Sequence, residues 1–434
     1  MTTPPVTTIE HLSRHVGQTV TLRGWLHDKS SKGKLHFARL RDGTGFVQCV
    51  LFKNDVPEKL FEDVGHAGQE SSLVLTGLVK AEPRAPGGFE IAVSGGEVLQ
   101  KVEGYPITPK EHGPDFLLNN RHLWLRSKRQ WALMRVRDAV ITAIRRFYDE
   151  RGFVCIDSPI FTPSACEGTS TLFEVEYFEQ KAYLTQSGQL YGEAAAMAMG
   201  KIYTFGPTFR AEKSKTRRHL TEFWMLEPEV AFATLDDIMQ LAEDMLVYIV
   251  QDVLRRRRPE LEALERDLSK LERIVAPFPR LSYDEAAALL AKHPESTFKY
   301  GDDFGAPDET ILSNSFDRPV LVHRYPHEVK SFYMKRDPAD PRKALCVDVL
   351  GSEGVGEIIG GSQREDDLAT LEARIQEHKL PLEFYQWYLD LRRYGTVPHA
   401  GFGLGLERTV AWIAGIEHVR EASPFPRMMY RITP

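Results

Sequence analysis

The stretch TFRAEKSKTRRHLTEFWMLEPE, residues 208–229, has the pattern of two strands joined by a strongly cationic loop. A strand-like segment at 202–209 leads into the loop, and the chain returns through 222–229. A hairpin of this kind suits a polyphosphate, because arginine contacts phosphate oxygens in a planar, bidentate way. The cations of the loop are Lys213, Lys215, Arg217, Arg218 and His219.

A run of charges is more often a solvated loop than a binding site. That interpretation does not explain Arg210, Glu227 and Glu229, which stand on otherwise apolar strands. Charged groups in such places must be paired or bound to something. The stretch therefore predicts a site and not only a surface loop.

Two further constellations carry chemistry. Asp348 and Glu357 lie on strand-like segments on either side of a glycine-containing turn, and Mg²⁺ favours one or two carboxylates together with substrate phosphates. The segment GFGLGLER, 401–408, alternates glycine with apolar residues before Arg408 opens a helix, and such glycines let a strand press close to a ligand. The chain has no GxGxxG with a following ribose carboxylate and no GxxxxGK[ST], so neither a Rossmann nor a P-loop site is predicted.

Residues 1–103 have the pattern of β structure. Five segments rich in Val, Leu and Phe are separated by turn signals, with a helix-like stretch near 55–67. This order fits a five-stranded barrel of the OB type, and another small β-barrel or half-sandwich is the alternative. The five segments are 19–26, 35–41, 46–52, 72–80 and 89–99.

One face of this region is cationic. Between residues 23 and 41 there are six lysines and arginines against one aspartate. Phe37 lies among these cations, and alternation places Gln48 opposite the apolar side of the next strand. Phosphate contacts, a stacking ring and an edge-reading amide are what single-stranded nucleic acid requires. A solvated charged face is the alternative.

The remaining chain suggests one larger domain. Residues 104–125 hold several prolines and glycines and predict a linker, and 126–434 mixes helical and strand patterns. Helices are predicted at 129–150 and 235–254, with the arginine run 255–258 complementing the dipole at the second helix's end.

Composition narrows the functional classes. The 434 residues carry a net charge of −6, which argues against a wholly basic nucleic-acid binder but leaves local basic sites open. The four cysteines form no CxxC pair, so a zinc ribbon is not predicted. No apolar run reaches about 18 residues, and we expect no membrane span.

These motifs together resemble class II aminoacyl-tRNA synthetases. Residues 208–229 resemble motif 2 of that class, 401–415 resemble motif 3, and the helix at 129–150 followed by GFVCIDSPIFTPSAC resembles motif 1. The N-terminal barrel is similar to the OB-fold anticodon-binding domain of the aspartate, asparagine and lysine subgroup. The resemblance implies a catalytic domain with an antiparallel sheet flanked by helices, a cytoplasmic homodimer joined through motif 1, and tRNA as partner.

Within the subgroup, YLTQSGQLYGE at 183–193 is similar to asparaginyl enzymes, which carry SGQL. Gly192 stands where aspartyl enzymes have a lysine that reads the aspartate carboxylate. A carboxamide has an acceptor and a donor, so Arg364 could donate to its oxygen and Glu227 could accept from its NH₂. Glu227 would also repel an aspartate carboxylate. The resemblance thus implies ATP-dependent ligation of L-asparagine to tRNA through an adenylate.

The resemblance also assigns roles to single residues. Arg210 and Arg408 would be catalytic, Glu357 with Asp348 would bind Mg²⁺, and Phe37 would stack on the central anticodon base while Gln48 reads its edge. ATP would be bound by Arg210, Glu212, Arg218, His219, Phe223, Glu357 and Arg408. The amino acid would be bound by Glu167, Ser187, Gln189, Glu227 and Arg364.

Three other interpretations compete with this one. The chain could be an aspartyl enzyme, including one that charges two tRNAs, or a synthetase paralogue that makes asparagine. The barrel with Phe37 and Gln48 argues against the paralogue, which needs no anticodon reader. The chain could also be a nucleic-acid-binding OB protein with a merely structural α/β region, although Arg210, Glu212 and Arg408 argue against that.

Overall fold

A computed structural model describes residues 3–167, 171–214 and 216–434. The chain forms two compact units, Met1–Leu117 and Leu118–Pro434. Within the described residues, no helix combines the length and the apolar character needed to cross a membrane.

The described part of the N-terminal unit has five strands, a 3-10 helix at Ile9–His15 and an α-helix, α1, at Glu58–His66. The strands form a closed barrel in the order β1-β2-β3-β5-β4 and alternate between buried and outward residues, which confirms the OB-type prediction. Val47, Cys49 and Leu51 point into the core as predicted. The strands are β1 Thr19–Lys32, β2 Leu35–Arg41, β3 Phe46–Phe52, β4 Ser72–Ala81 and β5 Phe89–Gln100.

The first strand is longer than the sequence predicts. It continues to Lys32, and its pairing with β2 shifts by one residue between Leu26 and Asp28. An extra residue of this kind bends a strand and increases its twist, which helps a small sheet to close into a barrel.

Eleven strands lie in the described residues of the second unit. These are β6 Val154–Cys155, β7 Phe161–Thr162, β8 Glu174–Tyr177, β9 Gln180–Leu184, β10 Lys201–Phe209, β11 Glu222–Ala231, β12 Arg280–Ser282, β13 Val320–His323, β14 Cys346–Gly351, β15 Gly356–Gln363 and β16 His399–Gly405. Eight of them form one sheet in the order β12-β13-β14-β15-β16-β11-β10-β6, and β7, β9 and β8 form a small second sheet.

The large sheet is antiparallel from β13 to β10, and only its two outermost pairs are parallel. The predicted α+β domain with an antiparallel sheet is therefore confirmed, with a parallel strand added at each edge. Each long inner strand has a partner on both sides, so the backbone groups at the centre are paired and the strands are held firmly in place.

Helices complete the second unit. Their bounds are α2 Pro114–Asn119, α3 Arg121–Trp124, α4 Lys128–Asp149, α5 Gln189–Met199, α6 Leu235–Ala263, α7 Leu268–Glu272, α8 Tyr283–Leu290, α9 Ala306–Asn314, α10 Leu368–Glu377, α11 Gln386–Arg393, α12 Leu406–Ala414 and α13 Val419–Ala422. The long helices α4 and α6 pack together and share the main hydrophobic core with the sheet. The predicted linker also contains α2 and α3, so its irregular part is shorter than predicted.

The arginine run coincides with a break in α6. The backbone of Arg257 is non-helical, so two helical segments meet there within Leu235–Ala263, and Pro259 follows the break. The first segment thus ends within the run, as predicted, and Asp252 accepts hydrogen bonds from Arg255 and Arg256 in its last turn.

Candidate functional site

The β10–β11 hairpin lies near the middle of the large sheet, as the stretch 208–229 predicts. Thr204 pairs with Glu227 and Thr208 with Phe223, and the strand pairing stops just before Arg210. The loop of the hairpin therefore begins at Arg210. Because alternate residues of a strand share a face, Phe223 and Glu227 point to the same side. That side is where two cavities open.

The two cavities contain every catalytic-unit residue that the sequence predicts for the site. We call the cavity at the hairpin loop the outer cavity and the cavity at Glu227 the inner cavity; with the solvent at their open mouths included, they measure about 850 Å³ and 1100 Å³. The predicted residues of the outer cavity are Arg210, Glu212, Arg218, His219, Phe223, Glu357 and Arg408. Those of the inner cavity are Glu167, Ser187, Gln189, Arg210, Glu227, Asp348, Glu357 and Arg364. Both cavities are lined by Arg210, Met225, Glu357 and Gly403, which mark their junction.

Arg210 stands at this junction with unused hydrogen-bonding capacity. Its Nε is buried and has no hydrogen-bond partner among the described residues. Burial lowers the pKa of Arg210, but Glu167, Glu357 and Glu212 raise it above its ordinary value, so the side chain stays charged. A buried cation with a free donor is a binding point for an anion.

Phe223 and Arg408 line the outer cavity from different elements. Phe223 belongs to β11, and its ring centroid lies 5.6 Å from the Arg210 guanidinium carbon. Arg408 is held at the start of α12 by a hydrogen bond of 2.9 Å from Nη1 to the Glu357 carbonyl oxygen. An aromatic face and a guanidinium in one cavity suit a flat heterocycle with charged substituents.

The loop cations are arranged less simply than predicted. Arg218 donates to Thr310 Oγ1 at 2.7 Å and to the Gly354 carbonyl oxygen at 2.6 Å, and its Nη1 lies 3.3 Å from Glu309 Oε2. Burial, followed by Arg408, lowers the pKa of His219, so this ring is neutral at neutral pH. Lys215 lies outside the described residues. Glu309 is a charged partner that the sequence analysis missed.

The alternating glycines of β16 allow a close approach, as predicted, here by side chains of the neighbouring strand. A Cβ atom on Gly401 would overlap Glu229 of the neighbouring strand, and one on Gly403 would overlap Met225. The glycines therefore leave room for two side chains that shape the inner cavity.

Glu227 is buried in the inner cavity and is oriented by three donors. It accepts hydrogen bonds from the Ser187 hydroxyl, from the Gly188 backbone N–H at 2.7 Å and from Thr204 Oγ1 at 3.2 Å. Burial raises the pKa of Glu227 above its ordinary value, while these three bonds oppose the shift. The carboxylate is thus held in one orientation at the wall of the cavity.

Arg364 is likewise buried and held. It donates from Nε and Nη2 to Glu229 and from Nη1 to Ser362 Oγ at 2.8 Å. Burial lowers the pKa of Arg364, but Glu229 and Glu193 raise it well above its ordinary value. The guanidinium is charged, fixed in direction and left with further N–H groups for a ligand.

A network behind Arg364 was not predicted from the sequence. Glu193 is fully buried and accepts hydrogen bonds from Arg392 Nη2 at 2.7 Å and from the Tyr388 hydroxyl at 2.8 Å, and its Oε2 lies 2.9 Å from His399 Nε2. Gln189 also donates to Glu193, at 3.1 Å. Burial alone would raise the pKa of Glu193, but Arg392 and His399 hold it well below its ordinary value. The only signal in the sequence was charge inside apolar segments.

Glu167 lines the inner cavity and is held there by Tyr333. The Tyr333 hydroxyl donates to Glu167 Oε1 at 3.0 Å, and the Glu167 backbone N–H donates to Gln186 Oε1 at 3.1 Å. The next three residues, 168–170, lie outside the described residues. Glu167 thus offers a carboxylate at the cavity edge to a cationic group.

Asp348 and Glu357 approach each other across Gly360, since β14 and β15 pair Asp348 with Gly360. A Cβ atom on Gly360 would lie 2.9 Å from Glu357 Oε1 and 3.5 Å from Asp348 Oδ1. No group of three or more His, Cys, Asp or Glu suited to a metal ion occurs among the described residues. Two carboxylates near the cationic outer cavity fit Mg²⁺, which keeps waters and substrate oxygens as its other ligands.

In the barrel, Phe37 and Gln48 lie on adjacent strands. Phe37 pairs with Val50, and Arg39 pairs with Gln48, so both side chains are on the outward, half-buried face as predicted. Arg39 is ion-paired with Asp28 at 3.1 Å. A ring, an amide and cations therefore share this face.

Known protein families match the N-terminal and the C-terminal part of the chain separately. The family described as tRNA synthetases class II (D, K and N) matches residues 113–429, and an OB-fold nucleic acid binding domain matches 20–99. A relative from Sorangium cellulosum named asparagine–tRNA ligase is 62% identical, with 99% of each chain covered. The crystal structure of asparaginyl-tRNA synthetase from Pyrococcus horikoshii complexed with asparaginyl-adenylate is similar with a TM-score of 0.95 and 47% identity, again with 99% of each chain covered.

A more distant structure shows the same architecture. The asparaginyl-tRNA synthetase of Entamoeba histolytica in complex with asparaginyl-adenylate is 30% identical and superposes with a TM-score of 0.90, with both chains fully covered.

We expect the network around Glu193 to contribute measurably to the free energy of unfolding. Arg392→Met removes a charged partner and leaves Glu193 buried with too few donors, and we expect a loss of about 3–5 kcal/mol in the free energy of unfolding. Urea denaturation followed by circular dichroism measures it. Arg393→Met, on the same helix but exposed, is the control and costs under about 1 kcal/mol. Equal losses in both variants would contradict the role of the network.

Proposed function

Because the chain belongs to the class II tRNA synthetases for aspartate, lysine and asparagine, we propose roles for its cavity residues in the ligation of L-asparagine to tRNA. Within that family it is an aminoacyl-tRNA synthetase of the asparagine–tRNA ligase type. The reaction uses ATP as a substrate and passes through an asparaginyl-adenylate. The observation that carries the residue roles is the meeting of two cavities at Arg210, whose buried Nε is free among the described residues.

In the first step the asparagine α-carboxylate attacks the α-phosphorus of ATP in line, and pyrophosphate leaves. Adenine lies in the outer cavity between Phe223 and Arg408, with Glu212 orienting the adenylate. Arg210 binds the α-phosphate at the junction and stabilises the charge that develops there. Bringing both substrates to one point is itself a large part of catalysis, because the attack becomes effectively intramolecular.

The leaving phosphates face Arg218, His219 and Arg408. Arg218 is bound to Thr310, Gly354 and Glu309, so it must exchange at least part of these contacts for phosphate oxygens. Glu357 and Asp348 would hold Mg²⁺, which would supply positive charge to the polyphosphate. His219 contacts the phosphates through a ring N–H.

In the second step the terminal hydroxyl of the tRNA takes the acyl group from the adenylate. Ser187, Gln189 and Glu167 position the amino acid, and Glu167 binds its ammonium group. The barrel receives the anticodon, with Phe37 stacking on the central base and Gln48 reading its edge. For assembly and location we propose a cytoplasmic homodimer with α4 at the interface.

Asparagine is selected by two fixed groups of opposite character. Arg364 donates to the side-chain oxygen, and Glu227 accepts from the side-chain NH₂. Aspartate would place a carboxylate against Glu227, and no lysine is present at Gly192 to offset the repulsion. A Cβ atom on Gly192 would already lie 3.3 Å from Glu229 Cγ, so this position is closely packed.

Amino-acid-dependent exchange of pyrophosphate into ATP tests the function and its alternatives. We expect exchange with asparagine and little with aspartate, followed by transfer to tRNA. Exchange that prefers aspartate would overturn the asparagine assignment. Exchange without any tRNA charging would instead favour a paralogue that makes asparagine.

Arg210→Ala removes the charge at the junction. We expect pyrophosphate exchange to fall by about 100- to 1000-fold, because one preorganised donor to the developing charge is lost. Arg217→Ala is the matched control, since Arg217 is an exposed arginine of the same loop, paired with Glu417. Near-normal exchange by the Arg210 variant would sink the assignment.

Glu227→Gln replaces the repelling carboxylate by a neutral group. We expect the ratio of kcat/KM for asparagine over aspartate to fall about tenfold or more, equivalent to about 1.4 kcal/mol, while KM for ATP stays unchanged. Glu222→Gln, at the exposed start of the same strand, serves as the control. An unchanged ratio would show that Glu227 does not discriminate the two amino acids.

A further inference from the structure

Lys330 is a cation beside the proposed metal site, and no role for it is predicted from the sequence. It follows a short helical turn at His327–Val329, and its side chain is only 10% exposed. Its Nζ donates to Asp348 Oδ2 and to Asp303 Oδ1, each at 3.0 Å. The same Nζ lies 3.8 Å from the centroid of the Tyr325 ring. Two carboxylates and one aromatic face therefore fix the ammonium in place.

The two oxygens of Asp348 have different surroundings. Oδ2 faces Lys330, whereas Oδ1 is the oxygen that a Cβ atom on Gly360 would approach to 3.5 Å. Glu357 Oε1 lies 2.9 Å from the same point. Asp348 also interacts through a side-chain hydrogen bond with Tyr325. The Asp348 side chain is thus anchored through Oδ2, and its Oδ1 lies near the same point beside Gly360 as Glu357 Oε1.

We propose that Lys330 is a positioning residue for the divalent cation. It holds Oδ2 of Asp348, so that Oδ1 stays available to the cation together with Glu357. This inference rests on the proposed function, because it takes Asp348 and Glu357 as the carboxylates that bind the cation with ATP. Partners behind a ligating group commonly set its direction, and their loss lowers metal affinity about 10- to 100-fold.

A purely electrostatic role of Lys330 predicts the opposite effect. If Lys330 only neutralised nearby acids, its removal would make the cavity more negative and strengthen cation binding. If Lys330 orients Asp348, its removal frees the carboxylate to rotate and weakens cation binding. The sign of the change in affinity therefore separates the two roles.

Binding of Mn²⁺, observed through the electron paramagnetic resonance signal of the free ion, measures that sign without turnover. The full-length enzyme is titrated in the presence of saturating α,β-methylene ATP. We expect Lys330→Gln to raise the dissociation constant for Mn²⁺ about tenfold or more. Lys335→Gln is the control, because Lys335 pairs with Asp366 and Glu365 and not with Asp348, and it should stay within about twofold of the wild type.

The outcomes keep the two proposals apart. Unchanged or tighter Mn²⁺ binding by Lys330→Gln overturns the positioning role alone. Absence of nucleotide-dependent Mn²⁺ binding by the wild type overturns the metal assignment and this inference together. If Lys330→Gln does not fold, as judged by circular dichroism, Lys330→Arg decides, since it retains the charge and changes the geometry. Wild-type affinity in that variant would then overturn the proposal.

Discussion

The inner cavity depends on how one fully buried carboxylate, Glu193, is compensated. A buried charge without partners is prohibitively costly, so Arg392, His399 and Tyr388 must all be in place before α5 can lie against the sheet. Through Gln189, which also contacts Glu193, the same group fixes the start of α5 and hence the wall of the cavity. The network acts less as a source of stability than as a constraint that admits one arrangement of these elements.

A second consequence is that the neighbouring buried charges form one connected network. Glu229 pairs with Arg364 and Glu193 with Arg392, and Arg364 also lies 3.9 Å from Glu193. Arg364 can therefore face the inner cavity with its direction set by the protein. A guanidinium held in this way needs little reorganisation to donate to an oxygen atom in the cavity.

Local sequence patterns predicted the parts of the molecule that local rules govern. Strand alternation placed Phe37 and Gln48 on the outward face, and the cationic stretch 208–229 predicted a hairpin. Partners distant in sequence could not be found in this way. Glu193 meets Arg392 and His399 across 199 and 206 residues, and Arg218 meets Glu309 across 91, distances over which only the tertiary fold decides contact.

The arginines after residue 254 are a case in which a local signal was sufficient. The cationic run falls where the backbone of α6 is broken at Arg257, and a second helical segment continues the element to Ala263. The residues of the site were predicted through their resemblance to family motifs, whereas their supporting contacts come from packing.

The junction between the cavities has a consequence for inhibitors. A compound that joins an amino-acid part to a nucleotide part fills both cavities at once and loses its translational and rotational freedom only once. Its affinity then exceeds that of either fragment by a large factor. The nucleotide part would contribute affinity for any adenylate-forming enzyme of this fold. Selectivity would reside in the other half, where Arg364 and Glu227 are locked by contacts that a competing enzyme would have to reproduce.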